Sequence, residues 1–129
     1  MSFPSPADDY SENRLRLDDL IVHREATFLV HHSGLSMEPT IHDGDVLIID
    51  RALIPRDNQV VMVRLREKFM IRRLMAYDDG CTLLIADNPA FIIIEVFDGE
   101  EDFAIWGVVT YAIHKITALA TKIRYETQG

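Results

Sequence analysis

The 129-residue sequence predicts a mainly β protein, a twisted antiparallel fold closing on itself. Three observations carry that expectation. Short runs of β-branched and aromatic residues recur at close spacing along the centre of the chain. Turn-forming residues (Gly, Asp, Asn, Ser) separate them. The spacing between runs is short for most of the chain, with turn chemistry between them, which argues against βαβ units.

The elements follow in order. Residues 1–9 carry Pro4 and Pro6 with little apolar content beyond Phe3, which predicts a flexible N-terminal arm. From Tyr10 to Val22, Leu15, Leu17, Leu20 and Ile21 stand among charges, and Asp18-Asp19 suits the start of a short helix. Thr27–Val30 reads as a strand running into the turn residues His32-Ser33-Gly34. Asp43-Gly44-Asp45 is a turn before the apolar run Val46–Ile49. Gln59–Leu65 and Lys68–Leu74 form a hairpin across Arg66-Glu67 alone. Asp78-Asp79-Gly80 then turns into Cys81–Ala86, followed by Phe91–Val96, the acidic loop Asp98–Asp102 and a last strand, Phe103–Ala112. That last strand is apolar on both alternating faces, so cover is expected on both. Beyond it, Ile116, Leu119, Ala120 and Ile123 have helical spacing, giving residues 116–129 as a tail that is either a short helix or frayed. Residues 10–115 make one domain.

Composition excludes several classes of function. Thirteen basic against 21 acidic side chains give a net charge of −8, a poor balance for direct binding to nucleic-acid phosphates. A role on DNA is therefore expected only through partners. Neither a run of about 20 apolar residues nor a basic-then-apolar leader occurs, so the expectation is a cytoplasmic chain with no membrane contact. Cys81 is the one cysteine, which rules out an internal disulfide and a multi-cysteine zinc site. It reads as a buried structural thiol. No cofactor or metal is expected. The acids of Glu95–Asp102 lack the ligand spacing of a calcium loop. The basic stretch Arg64–Arg73 reads as a solvated hairpin edge with internal ion pairs; contact between it and the acidic loop at a subunit boundary is a further expectation.

The stretch that carries chemistry is Gly34-Leu35-Ser36-Met37-Glu38-Pro39-Thr40, followed by Asp43-Gly44-Asp45 and an apolar strand. Ser36 follows a glycine turn on a constrained loop, where it either closes the turn or presents its hydroxyl to a cleft. The whole string resembles the signature of the LexA/UmuD family of self-cleaving serine–lysine peptidases. Phe3-Pro4-Ser5-Pro6-Ala7, Asp9-Tyr10, the Phe69–Leu74 strand, and Phe103 through Gly107-Val108-Val109 resemble the UmuD branch in order and spacing, from Phe3 to about Lys115. The resemblance implies the family's strongly bent antiparallel sheets and a homodimer, or a heterodimer with a full-length UmuD-like chain. It also implies a part in SOS mutagenesis, as accessory subunit of an error-prone UmuC-type Y-family polymerase, with the RecA filament as activator. The chain begins just past the point where the branch loses its arm, so the expectation is a counterpart of the processed form.

The family's general-base lysine falls, by this resemblance, at Arg72 in Ile71-Arg72-Arg73-Leu74. A lysine serves as base only when its surroundings leave the amine neutral. A guanidinium stays protonated and has no lone pair to offer. Lys68, four residues back on the strand and roughly 13 Å away at about 3.3 Å per residue, falls short. His42, His31 and His32 are nearer Ser36 in sequence and are alternative bases. The resulting expectation is a nucleophile position, Ser36, kept without its base and without self-cleavage. Two alternatives stand beside it: an active LexA/UmuD-type serine peptidase, and the dimerisation domain of a LexA-like or phage repressor. The serine segment also resembles the signal-peptidase serine box, but neither that family's membrane anchor nor its lysine is present.

Overall fold

Antiparallel pairing joins every neighbouring pair of strands in the computed structural model, which describes residues 14–76 and 79–117. Two short 3-10 turns, Leu17–Leu20 and Arg24–Ala26, come first. Seven strands follow: β1 (Thr27–His31), β2 (Val46–Asp50), β3 (Val60–Leu65), β4 (Lys68–Ala76), β5 (Cys81–Ile85), β6 (Ile94–Phe97) and β7 (Phe103–Ile113). They form one sheet in the order β1-β2-β7-β3-β4-β5-β6. The short helix expected before Val22 is the first 3-10 turn, with Asp18 and Asp19 in it. The arm at residues 1–9 lies outside the described residues, as does the tail from residue 118 onward.

Two expectations need correction. Among the described residues the sheet does not close by strand pairing: β1 bonds only to β2, and β6 only to β5. The central strands bury apolar residues on both faces. Along β3, Val61, Val63 and Leu65 join a cluster with Leu74, Leu84 and Val108. The alternate residues Val60 and Met62 pack on a second cluster, with Met37, Ile41, Leu47, Ile49 and Ile71 at its heart. The sixth strand also starts later than expected, at Ile94 rather than Phe91. The Phe91 N–H instead closes a turn onto the Asn88 carbonyl at 3.1 Å, so Phe91, Ile92 and Ile93 run exposed before pairing begins.

Strand β7 is covered on both sides from Phe103 to Val109 and exposed beyond it, and a bulge exchanges its faces. Met62 pairs with Gly107 while Val63 pairs with Ile105, leaving Trp106 as the extra residue. Phe103 and Ile105 pack on the first cluster, Trp106 on the second, and Val108 again on the first. Gly107 permits this geometry, since a Cβ there would lie 2.6 Å from Ile49 Cγ2. The β3–β4 hairpin turns on Arg66 and Glu67, both at positive φ (51° and 68°), the pair of left-handed residues that a two-residue hairpin requires. Arg66 is held there by its N–H to the Asp102 carbonyl at 3.1 Å and its guanidinium to Glu100 at 3.2 Å. The basic hairpin and the acidic loop thus meet within one chain.

Candidate active site

The loop bearing Ser36 is built by the residues around it. Gly34 takes φ +102°, a left-handed turn that favours glycine. Its N–H donates to Asp43 Oδ1 at 2.7 Å, across nine residues. Asp45, almost wholly buried, accepts the His42 N–H at 2.8 Å and lies 2.8 Å from His114 Nδ1. The His32 N–H donates to the Asp45 carbonyl, and the Gly44 N–H to the His32 carbonyl, each at 2.8 Å. The Asp-Gly-Asp spacing is therefore a clamp: one carboxylate holds the glycine turn and the other holds the following loop. Met37, fully buried, anchors the next residue in the second core cluster.

On the far side the loop is fixed by a residue that sequence reasoning passed over. The Asn88 N–H donates to the Ser36 carbonyl, and Asn88 Nδ2 to the Leu35 carbonyl, both at 3.0 Å. Asp87 beside it takes a two-pronged contact from Arg73, at 2.9 and 2.8 Å, and a hydrogen bond from the Thr40 hydroxyl. Asp87-Asn88-Pro89 is turn chemistry by composition, and that was its only signal.

Ser36 and Arg72 come together. Arg72 Nη1 donates to Ser36 Oγ at 3.1 Å and to the carbonyl of its neighbour Ile71 at 2.8 Å. Ser36 is buried and Arg72 half-buried, with the Phe91 ring 6.0 Å from the guanidinium carbon. Among the described residues no carboxylate pairs with Arg72, and its Nε is buried without a hydrogen-bond partner. Burial accordingly lowers the guanidinium's pKa from its ordinary value. Lowered or not, a guanidinium does not lose its proton in proteins.

The two residues share a cleft of about 420 Å³ that His32, Phe69, Met70 and Phe91 help to line. His32 is buried, and its Nε2 has no partner among the described residues. Burial pulls its pKa below the usual histidine value, against the opposing pull of Asp43 and Asp45. His31 lines the same cleft. His42 is engaged elsewhere, with Nδ1 2.7 Å from Glu38 Oε2. Lys68 borders a different concavity, beside Ile92 and Glu95. No group of three or more His, Cys, Asp or Glu side chains suited to a metal occurs among the described residues, and Cys81 is buried with its thiol pKa raised, chiefly by burial. None of the described helices is long and apolar enough to cross a membrane.

Comparison with known proteins places this geometry in a family. Residues 1–110 match the family described as Peptidase S24-like. The chain is 37% identical over 113 residues to Protein MucA of Salmonella typhimurium, covering 86% of this chain and 76% of that protein. It is 34% identical over 119 residues to Protein ImpA of Shigella flexneri, covering 91% and 79%. Identity to the LexA repressor of Dechloromonas aromatica is 38% over 106 residues, 81% of this chain and 52% of the repressor. With the family matched over most of its length, and relatives of this similarity along nearly all of it, the chain belongs to the S24-like peptidases, in their LexA/UmuD group.

Proposed function

We propose that this protein is a UmuD-like accessory subunit of an error-prone Y-family polymerase of the UmuC type, acting in SOS mutagenesis without self-cleavage of its own. The observation that carries the silent-site reading is the Arg72–Ser36 contact at 3.1 Å. Serine attacks a peptide carbonyl only when a neighbour accepts its proton. Here the neighbour in hydrogen-bond reach is a donor, which occupies the Ser36 lone pair instead of drawing off the hydroxyl proton. Ser36 then stands at the nucleophile position and Arg72 at the general-base lysine position. Similarity to MucA and ImpA over most of each chain supports the mutagenesis role. Residues 10–115 would form the peptidase-like domain, with self-association as a homodimer or with a full-length UmuD-like chain. The RecA filament would act as a regulator, and DNA would be reached through partners, in the cytoplasm.

An active peptidase would need another base. His32 borders the cleft, but its free Nε2 makes no bond to Ser36, and His42 is taken by Glu38. The repressor reading has support in the LexA match and predicts a partner domain that binds DNA. Tagged protein expressed in its own source should retain a Y-family polymerase on a column as a dimer complex. Monomer alone, with no polymerase, would sink the proposal. In parallel, the protein is incubated at alkaline pH with a chain carrying the family's uncleaved arm. The arm should stay intact; any product that disappears with Ser36→Ala would show an active site.

A further inference from the structure

The Ser36–Arg72 cleft has the chemistry of a receptor rather than of a spent enzyme. Removing a guanidinium from water costs free energy that a counter-ion ordinarily offsets. Arg72 is half-buried and, among the described residues, has only a hydroxyl and a carbonyl as partners. In a chain of net charge −8, a cation left without a carboxylate marks a place where an anion is stabilised. The anion's position follows from chemistry at Ser36. A peptide whose carbonyl carbon faces a serine hydroxyl leaves, after hydrolysis, a carboxylate against that hydroxyl. A carboxylate in that position would meet Arg72 beside the oxygen. Ser36 Oγ accepts from Arg72, so its own O–H proton is free to be donated to the ligand.

The backbone beside the cleft has an open edge. The Leu74 N–H donates to the Gln59 carbonyl at 2.9 Å, so the even-numbered residues of β4 point their backbone groups at β3 and the odd-numbered ones away from it. Pairing of β4 with β5 begins only at Arg73. The N–H and C=O of Phe69 and the N–H of Ile71 therefore face a side without a strand. An extended peptide can add there as a short strand and end at Arg72. Leu35, Phe69, Met70 and Phe91 give apolar walls for its last side chain, and three of them (Leu35, Phe69, Phe91) are exposed.

We propose that this cleft binds the free carboxyl terminus of a partner protein whose last residue is apolar, with the carboxylate held by Arg72 and Ser36 and the preceding residues paired along Phe69–Ile71. The inference rests on the silent-site reading above, in that the bound peptide is held and not cut.

The test uses the full chain and three fluorescein-labelled peptides read by anisotropy: Ala-Val-Ala-Val-Leu as the free acid, the same peptide as its carboxamide, and Ala-Val-Asp-Val-Leu carboxamide. The free acid should bind at least about tenfold more tightly than either amide, the range of one charge-assisted hydrogen bond. Arg72→Gln should remove that preference while leaving the unfolding midpoint of the protein in place, and Ser36→Ala should weaken acid binding severalfold. Equal binding of acid and amide, no binding of any peptide, or a preference that survives Arg72→Gln would each overturn the proposal. So would equal binding of the internal-aspartate amide, which would show that the site reads any carboxylate. Cleavage of a peptide would instead overturn the silent-site reading. The acid preference can still be read on the Ser36→Ala protein, so the two ideas fail separately.

Discussion

Two adjacent arginines of β4 illustrate how different environments give one side chain different work. Arg73 has a full set of partners: a fork onto Asp87 at 2.9 and 2.8 Å, and Nη1 on the Asn58 carbonyl at 2.7 Å. The pair reinforces itself. Hydrogen bonding to Asp87 raises the Arg73 pKa, and Arg73 holds the Asp87 carboxyl below its usual value. Arg72 points the other way from the strand and meets a serine hydroxyl and a carbonyl, with burial lowering its pKa. Arg73, which ties β4 to the turn at Asp87, is given a counter-ion. The arginine in the cleft is left without one, and that difference distinguishes a clasp from a site.

The largest expected effect comes from restoring the chemistry that Arg72 removes. In Arg72→Lys, the burial that lowers the guanidinium's pKa would act on an amine, whose ordinary value of about 10.4 is within reach of such a shift. We expect cleavage of a supplied arm at least about a hundredfold above the parent protein, the lower range for a positioned general base. The product should vanish in the Ser36→Ala, Arg72→Lys double variant. An arm that binds but stays intact would mean that the cleft has diverged from a peptidase at more than one position.

Breaking the clasp comes next. Asp87→Ala leaves Arg73 without its fork and frees the Thr40 hydroxyl, and we expect a loss of about 2 kcal/mol in denaturant unfolding at pH 7. The pKa of Asp87 is lowered in the folded state, so its contribution is present above the unfolded carboxylate pKa and disappears as pH falls through the folded value. The difference between parent and variant should therefore shrink in strong acid. A difference that is constant across pH would show that Asp87 acts through shape and not through charge.

The contrast between the two arginines was only partly legible in the sequence. Arg72 was singled out because the family resemblance put a lysine there. Strand periodicity sends Arg72 and Arg73 to opposite faces, but it does not say which face holds a carboxylate. That information sits at Asp87, 14 residues along the chain from Arg73, in a turn with no periodic pattern. The strands themselves were easier, because alternation, Gly34, Asp-Gly-Asp and the two-residue hairpin are local signals. What failed was non-local. The late start of β6 depends on the Phe91–Asn88 turn, and the two-sided burial of β3 depends on the separate clusters that the rest of the chain brings to its faces. The bulge at Trp106 is set by pairing with β3, while Gly107 gave no sign of which residue would be left over.

A smaller effect should follow from taking the cleft charge away. Arg72→Met keeps much of the side chain's length and apolar contact while removing a charge that has no carboxylate partner among the described residues. Replacement of an uncompensated, half-buried cation should be neutral or stabilising by up to about 1 kcal/mol. Arg73→Met should instead destabilise, since it strands Asp87. If both substitutions cost the same, the two arginines are equivalent in the fold and the distinction drawn from their partners is wrong.

The smallest effect concerns His32, which shares the cleft with Arg72. Its neighbours pull in opposite directions: burial and Arg72 lower its pKa, while Asp43, Asp45 and Glu38 raise it, with burial the largest contribution and the net shift downward. The unfolded chain therefore takes up a proton near pH 6.5 before the folded protein does. In that window the unfolded state binds more protons, so stability rises with pH. His32 thus contributes a loss of stability as pH falls from about 7.5 toward 5. Removing Arg72 takes away one of the influences that hold the imidazole neutral, so the acid-side loss should be shallower in Arg72→Met than in the parent. The difference should be below about 1 kcal/mol between the two pH values. The measurement is the difference in unfolding midpoints between the two proteins rather than either slope. The His32 ring resonances in NMR should titrate at higher pH in the variant. An identical slope and an unmoved resonance would show that the Arg72 charge does not reach His32 and that the cleft is not one electrostatic unit.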